Sequence, residues 1–542
     1  MNQAQSAIFA NAANAMASIV KRPLLFGPDN RPLQPSSGYQ YSRSASKREG
    51  SMKNWIPKRL VTRQQEALER EAIVARSIDL TNNDPHAAGV VESFATTVVG
   101  AGLAPHPLIG LDTLGLTKDE IRAIVAQQRT AYMQWAPIAD AGGRMSFGAL
   151  QFLIMRNVMQ YGEYIALAPM IDDPLRPYAL ACQIIHPLRL KTPVDKINDP
   201  AIRDGVELGA YGEPVAYWIK KTDPKGSSIT PDVSANFLRI PARKGHRWNV
   251  LHDFVVKDPE QVRGYPPLAP GMKFFRDLND YLDAELVSNI VTAAFALFIE
   301  QAGGNDPFNI AENLSSFQET VQRGDGKTEK ARYQEWIPGQ IMYGNPGEKP
   351  APITASRPGT TFDPFTRIIK KALSMALNMP YPVLFKDVEA TNFAGFRSAM
   401  LDAWRVYMHL RTWLGQGFCQ RFYTMLMEEA YLRGNLNVKN FYSNMFILTQ
   451  AEWRGSPKGD IEPIKAVQAD VLAIQNNLKT RAEAIAERTG GDVRTTFDQL
   501  QEEQEMMRER GLTEKPIEPD SQQEPAGAVD DMEGAGEGLE QS

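Results

Sequence analysis

The sequence predicts an α+β fold that is mainly helical. Three features carry that expectation. Stretches over residues 60–80, 268–301 and 393–433 read as helices with few helix breakers. Between Phe147 and Val255 the pattern shifts to short β-prone segments separated by Pro, Gly and Asp clusters, as in a meandering sheet. A chain of 542 residues with 43% hydrophobic content is long enough for two to four packed domains.

Taken in order, residues 1–60 are expected to form an extended basic arm. Up to Arg63 the chain has ten basic residues against Asp29 and Glu49. Leu60 to Leu80 reads as a first helix. Asn83-Asp84-Pro85 starts a second, which stops at Gly100-Ala101-Gly102. A third spans Thr117 to Trp135, with Thr117 and Glu120 spaced as a capping box. Strands are expected in EYIALAPM, LACQIIHPL, GVELGAYGEPVAYWI and FLRIPA.

Residues 257–271, KDPEQVRGYPPLAPG, are dense in helix breakers, yet no glycine or proline follows until Gln301. A helix of that length would be a rod of about 45 Å, over twice the usual length. Phe274, Leu278, Leu282 and Leu286 are expected on one face, opposite Arg276, Asp280 and Asp283. Charge then stops between Glu285 and Glu300, so neighbours must cover the second half, other subunits if one chain cannot. Residues 302–360 are loop-rich, Pro364 to Leu377 is a second helix, and Phe393 to Arg433 is a long run interrupted at Gly415 and Gly417. Asp460, Thr480 and Asp492 are expected to cap three further helices. From Lys515 onward that lysine faces eight acids with almost no large apolar side chain, the composition of a disordered tail. The opposite charges of the two ends suit solvated segments, with nucleic-acid contact by the basic arm as the alternative.

Motifs for catalysis are lacking. Gly324-Asp325-Gly326-Lys327-Thr328 resembles a phosphate loop, but Val321 stands where that loop needs its first glycine. Pro105 blocks a dinucleotide reading of Gly100 and Gly102. Cys182 and His186 supply only two ligands on one strand face, and His252-Asp253 lacks supporting partners. With only two cysteines, no disulfide framework is expected and a reducing compartment fits. The longest apolar segment, Leu286 to Ile299, is too short and polar to span a bilayer, and the first twenty residues lack the basic start of a secretory signal. No cofactor, metal or membrane is expected.

Four segments nonetheless match a known pattern in order: LTNNDPHAAGVVESFATTVVGAGL, DPEQVRGYPPLAP leading into LNDYLDAELVSNIVTAAFALFI, LNMPYPVLFKDVEATNFAGFRSAMLDAWR, and EWRGSPKGDIEPIKAVQ continuing to QLQEEQ. Together they cover most of residues 60–510, and the chain resembles the lambda-type portal proteins of tailed bacteriophages. It departs from them at Phe393-Ala394-Gly395, where the family often has Tyr-Ser-Ser.

The resemblance implies a homo-oligomeric ring, a dodecamer, at one capsid vertex, through which double-stranded DNA is packaged and ejected. It implies docking of the terminase large subunit and of head-completion or adaptor proteins, and contact with major capsid or scaffold protein. The corresponding parts would be a wing (61–267), a first stem helix (268–301), a clip (302–360) and a second stem helix (361–385). A channel loop with a long tunnel helix (386–455) and a helical crown (456–512) would follow. Lys386, Asp387, Glu389 and Asn392 become the candidates for proximity to DNA. Asp258, Gln261, Arg263, Gly264, Pro266 and Pro267 become the structural elbow between wing and stem. The alternative reading, a packaging-associated ATPase or nuclease, has only the near miss at Gly326-Lys327-Thr328.

Overall fold

The structure is a computed structural model, and it describes residues 63–109, 115–222, 231–294, 297–299, 318–322, 328–332, 341–343, 362–389, 391–459 and 462–512. The expected arm, the acidic tail and most of residues 302–360 lie outside the described residues, as do Glu300, Ala390 and Asp460.

Helices α1 (Arg63–Asn83) and α2 (Pro85–Val99) meet at Asp84, whose carboxylate accepts from the Ala87 amide at 2.8 Å and caps α2. Strand β1 (Ala104–Pro107) follows, and α3 (Lys118–Trp135) opens on the expected Thr117–Glu120 capping box. Helix α4 (Phe147–Tyr161) corrects the expectation that strands begin at Phe147. Its run Phe152-Leu153-Ile154-Met155 is apolar on successive residues, because Ile154 and Met155 are both buried, and such a run has no period to separate helix from strand.

The β region is antiparallel throughout. It comprises β2 (Glu163–Leu167), β3 (Gln183–Ile185), β4 (Ile202–Arg203), β5 (Val206–Leu208), β6 (Pro214–Lys220), β7 (Phe237–Pro241), β8 (Arg243–Lys244), β9 (Arg247–Trp248) and β10 (Val250–Phe254). β2 lies between β10 and β3, with Leu251 opposite Ala166 and Ile165 opposite Ile185. β4 to β7 form a four-stranded meander. Asp204 and Gly205, both at positive φ, make the two-residue turn between β4 and β5. Ile165, Ile185, Leu190, Val206, Tyr217 and Ile219 pack together beneath these sheets.

Helix α5 (Met272–Ala294) ends short of Gln301. Leu297–Ile299 is instead β11, which pairs in parallel with Ile341–Tyr343 after a hairpin of β12 (Gln318–Gln322) and β13 (Thr328–Arg332); Ile341–Tyr343 is β14. A partner more than forty residues away decides the state of Leu297-Phe298-Ile299, and that is beyond any local pattern. The face of α5 also differs from expectation. Phe275 and Leu278 are fully buried, whereas Phe274 and Leu286 are exposed.

α6 (Phe362–Ala376), the single turn α7 (Tyr381–Leu384) and α8 (Phe393–Leu414) come next. Gly415–Cys419 forms a π turn that joins α8 directly to α9 (Gln420–Leu432), so Gly415 and Gly417 do not break the helix. After α10 (Met445–Leu448), β15 (Ala451–Arg454) pairs with β1 across some 350 residues, Pro105 opposite Trp453. The chain ends its described part in α11 (Pro463–Gln475), α12 (Arg481–Thr489) and α13 (Val493–Glu509). Thr480 caps α12 as expected. Glu462, not Asp460, stands before α11 and makes no side-chain cap. Asp492 stands before α13, but its carboxylate pairs with Arg129 at 2.9 Å rather than capping.

The main core joins α2, α4, β2, α8 and α9. Its centre is aromatic: Phe147 stacks on Phe418 at 5.2 Å and lies 4.8 Å from Trp135, with Phe422, Tyr132 and Trp453 around them. Rings offset in this way add to the burial of their large apolar area.

Candidate functional site

The elbow that leads into α5 is built on a buried carboxylate. Gly162 ends α4 in the left-handed conformation, φ +88, and Glu163 begins β2 with no exposed surface. Arg263 comes from the far side of the sheet region and is equally buried. Its Nε donates to both Glu163 oxygens at 3.0 and 2.9 Å, while Nη1 donates to the carbonyls of Leu190 and Asp204 at 2.9 and 2.7 Å and Nη2 to that of Pro187 at 3.2 Å. The Gly264 amide donates to Glu163 Oε2 at 2.9 Å, and His252 Nε2 lies 3.0 Å from the same oxygen. Arg70 of α1 pairs with Asp204 at 2.6 Å and stands 3.7 Å from Glu163.

Two carboxylates and two guanidiniums thus balance, Asp204 at the edge and the other three buried, which is what makes burial of these charges tolerable. Burial alone would push the Glu163 carboxyl up, but Arg263 and His252 outweigh it and hold it well below the usual carboxylate range. Burial likewise works against the Arg263 charge, and Glu163 with Asp204 more than restores it.

Glycine lets the two backbones cross here. A Cβ on Gly264 would lie 2.1 Å from the Gly162 carbonyl oxygen, and one on Gly162 would lie 2.2 Å from Tyr265 C. Gln261 braces the turn by accepting from the Lys257 and Asp258 amides at 2.9 and 3.3 Å and donating to Arg263 O at 2.8 Å. Pro266 accepts from the Ala269 amide at 3.0 Å, Pro267 follows it half-buried, and a short 3-10 turn, Ala269–Gly271, starts α5. The Asp258 side chain is exposed.

The loop before α8 is tethered at both ends. Lys386 is exposed and adopts φ +56, and Glu389 is exposed. Asp387 accepts the Tyr381 hydroxyl. Asn392 caps α8 by accepting from the Gly395 amide at 2.8 Å. A Cβ on Gly395 would come within 2.8 Å of that Asn392 oxygen, so glycine at 395 suits this cap.

Helices α5 and α6 pack against each other, with Tyr281 stacked on Phe362 at 5.6 Å and edge-on to Phe365 at 5.1 Å. Leu278 and Leu373 are fully buried. Leu286 is 59%, Ile290 50%, Ile368 65% and Met375 81% exposed, an apolar surface that the described residues leave uncovered.

Groups set aside for chemistry are structural. Cys182 is buried, and His186 is exposed with Nδ1 accepting from the Leu188 amide. His252 turns to Glu163, while Asp253, its neighbour on β10, turns to Arg421 at 3.9 Å, so the two share no ligand position. Among the described residues no three His, Cys, Asp or Glu side chains converge as a metal cluster needs. The strands flanking Gly324–Lys327 pair antiparallel, unlike the strand, loop and helix of a phosphate-binding site. No described helix is long and apolar enough to cross a membrane. Sequence reasoning missed Glu163 as the partner of Arg263, and His252 and Arg70 as the further groups around that carboxylate. A local signal existed only for Asp204, in the Asp-Gly hairpin pair.

The family model described as phage portal protein, lambda family, matches residues 48–411. The probable portal protein of Halomonas phage phiHAP-1 is 23% identical over 82% of this chain and 82% of its own length. The portal protein of Escherichia phage N15 is 21% identical over 91% and 95%, and portal protein B of Escherichia phage lambda is 22% identical over 90% and 94%. Among solved structures, the neck of an empty GTA particle computed with C6 symmetry aligns at a TM-score of 0.41 and 13% identity, over 76% of this chain and 92% of that one.

Proposed function

The chain belongs to the lambda family of phage portal proteins, and from that membership we propose that copies of it close into a ring, a dodecamer, at one vertex of the capsid. It is a structural protein of the virion and not an enzyme. In this reading the ring is the conduit for packaging and ejection of double-stranded DNA. Residues 61–267 are the wing, α5 and α6 the stem, and 302–360 the clip, where the terminase large subunit and then head-completion or adaptor proteins dock. The loop 386–392 lines the channel ahead of the tunnel helix α8, and α11 to α13 form the crown. The wing meets major capsid or scaffold protein, and assembly takes place in the host cytoplasm.

The observation that carries the reading is the uncovered apolar strip on α5 and α6. A ring closed by heterologous contacts buries two different patches on every subunit, and Leu286, Ile290, Ile368 and Met375 supply such a surface. The exposed charges of α5 favour a passage. Lys273 and Arg276 are outnumbered by Asp277, Asp280 and Asp283, all exposed, and a mildly acidic wall repels the phosphate backbone instead of holding it. Glu285, the next carboxylate along α5, is buried and does not join that wall.

Negative-stain microscopy and mass photometry of the purified full chain test the proposal. Rings with a central channel are the expected result. A monomer that hydrolyses ATP would sink it.

A further inference from the structure

The chain turns back on itself between Pro380 and Asp387. Pro380 opens the single turn α7, which closes when the Phe385 amide donates to Tyr381 O at 3.1 Å. Lys386 then takes the left-handed conformation that ends a helix, φ +56, and this returns Asp387 to the start of the same turn. There its carboxylate accepts the Tyr381 hydroxyl, while Arg367 and Lys370, both on α6, face it electrostatically. Arg367 is itself held by Asp363 at 3.0 Å. Phe385 anchors the other end of the turn, its ring 5.9 Å from that of His86 on α2 and 5.9 Å from Lys370 Nζ.

We propose that Asp387 is a positioning residue: by clasping Tyr381 it ties the start of the 386–392 loop back to α7, which packs on α6, so the loop follows these two helices instead of moving independently. The consequence for DNA rests on the reading of that loop as channel wall, whereas the clasp belongs to the folded chain alone. A hydroxyl bonded to a carboxylate is stronger than a neutral pair, and six residues of separation make its closure cheap in chain entropy. The Tyr381 hydrogen bond, then Arg367 and Lys370, hold the Asp387 carboxyl below its ordinary value. Burial and Asp387 push the Tyr381 hydroxyl up to about 12. The clasp therefore persists between these limits: it opens as pH falls through the depressed carboxylate value, and again in strong alkali, where the Tyr381 hydroxyl loses the proton it donates. Between the clasp and the Asn392 cap, Val388 and Glu389 remain exposed, with Thr391 N donating to Val388 O at 3.2 Å.

Hydrogen–deuterium exchange on the full-length protein, comparing wild type with Tyr381→Phe and Asp387→Asn, tests the clasp. Tyr381→Phe deletes one hydroxyl and keeps the ring against Phe385 at 5.8 Å, so the variant retains its packing. The expected result is exchange about tenfold faster at residues 387–391 in both variants, the scale of one hydrogen bond to a charged group, with wild-type rates in α2 and α4. Unchanged exchange in the loop overturns the proposal. So does acceleration that extends to α2 and α4, because Asp387 would then support the whole fold. A DNA-packaging assay on the same variants separates the two readings: faster loop exchange with normal packaging keeps the clasp and removes the loop from the channel wall.

Discussion

Arg263 is the residue on which the elbow depends. A single guanidinium answers two carboxylates and three carbonyls from three chain segments, so no smaller or more flexible cation reproduces it. Arg263→Ala would leave the Glu163 carboxylate buried without its main partner, at a cost of about 3–5 kcal/mol. Denaturant unfolding would measure it, and a change below about 1 kcal/mol would count against the cluster as the fold's anchor. The sign of the pH dependence follows from Glu163, whose folded value is depressed. Its stabilisation is complete above the ordinary carboxylate range and is lost as pH falls through the lower folded value. Wild-type stability is therefore expected to be flat through neutral pH with respect to this group, and to fall only in strong acid.

Among the elements, the π turn between α8 and α9 shows why glycine stands inside a long helix. Gly415 faces Trp453 of β15, where an added Cβ would lie 2.9 Å from the tryptophan Cβ, and Gly417 faces Asp253 of β10. The helix passes so close to two strands that side chains are excluded, and one inserted residue lets it do so without breaking. Gly415→Ala brings the better intrinsic helix propensity, worth about 1 kcal/mol, against an overpacking cost of about 1–3 kcal/mol on a Cβ fixed to its strand. A lower melting temperature is expected, and a rise would mean that β15 yields. The C-terminal helices form the opposite case. Among their described residues only Ala484 is buried, and they are joined to the rest through Arg129–Asp492 and the Arg454 donation to Gly491 O at 2.8 Å.

For the whole molecule, the informative quantity is apolar surface that the fold does not use. Among the described residues, α5 and α6 pack on each other and on neighbouring helices and leave a bare side that includes Leu286, Ile290, Ile368 and Met375. Ile290→Asp and Ile368→Asp place a charge on that bare side without entering the core. The expected outcome is a folded protein with unchanged circular dichroism that no longer forms rings, counted by mass photometry. Rings that survive both substitutions would move the subunit interface away from the stem.

Three helix caps, the antiparallel β segments and the start of α5 were legible in the sequence because each depends on residues within a few positions of one another. Asp84, Thr117 and Thr480 cap as their spacing requires. Family membership was legible too, because the matching segments recur in order along most of the chain. Only the tertiary structure decided that Phe147–Tyr161 is a helix, that Leu297–Ile299 is a strand, that Phe275 rather than Phe274 faces inward, and that Arg263 reaches Glu163. In these cases the deciding partner lies far away in the chain, and the energy comes from burial and charge pairing between segments, which local spacing does not encode.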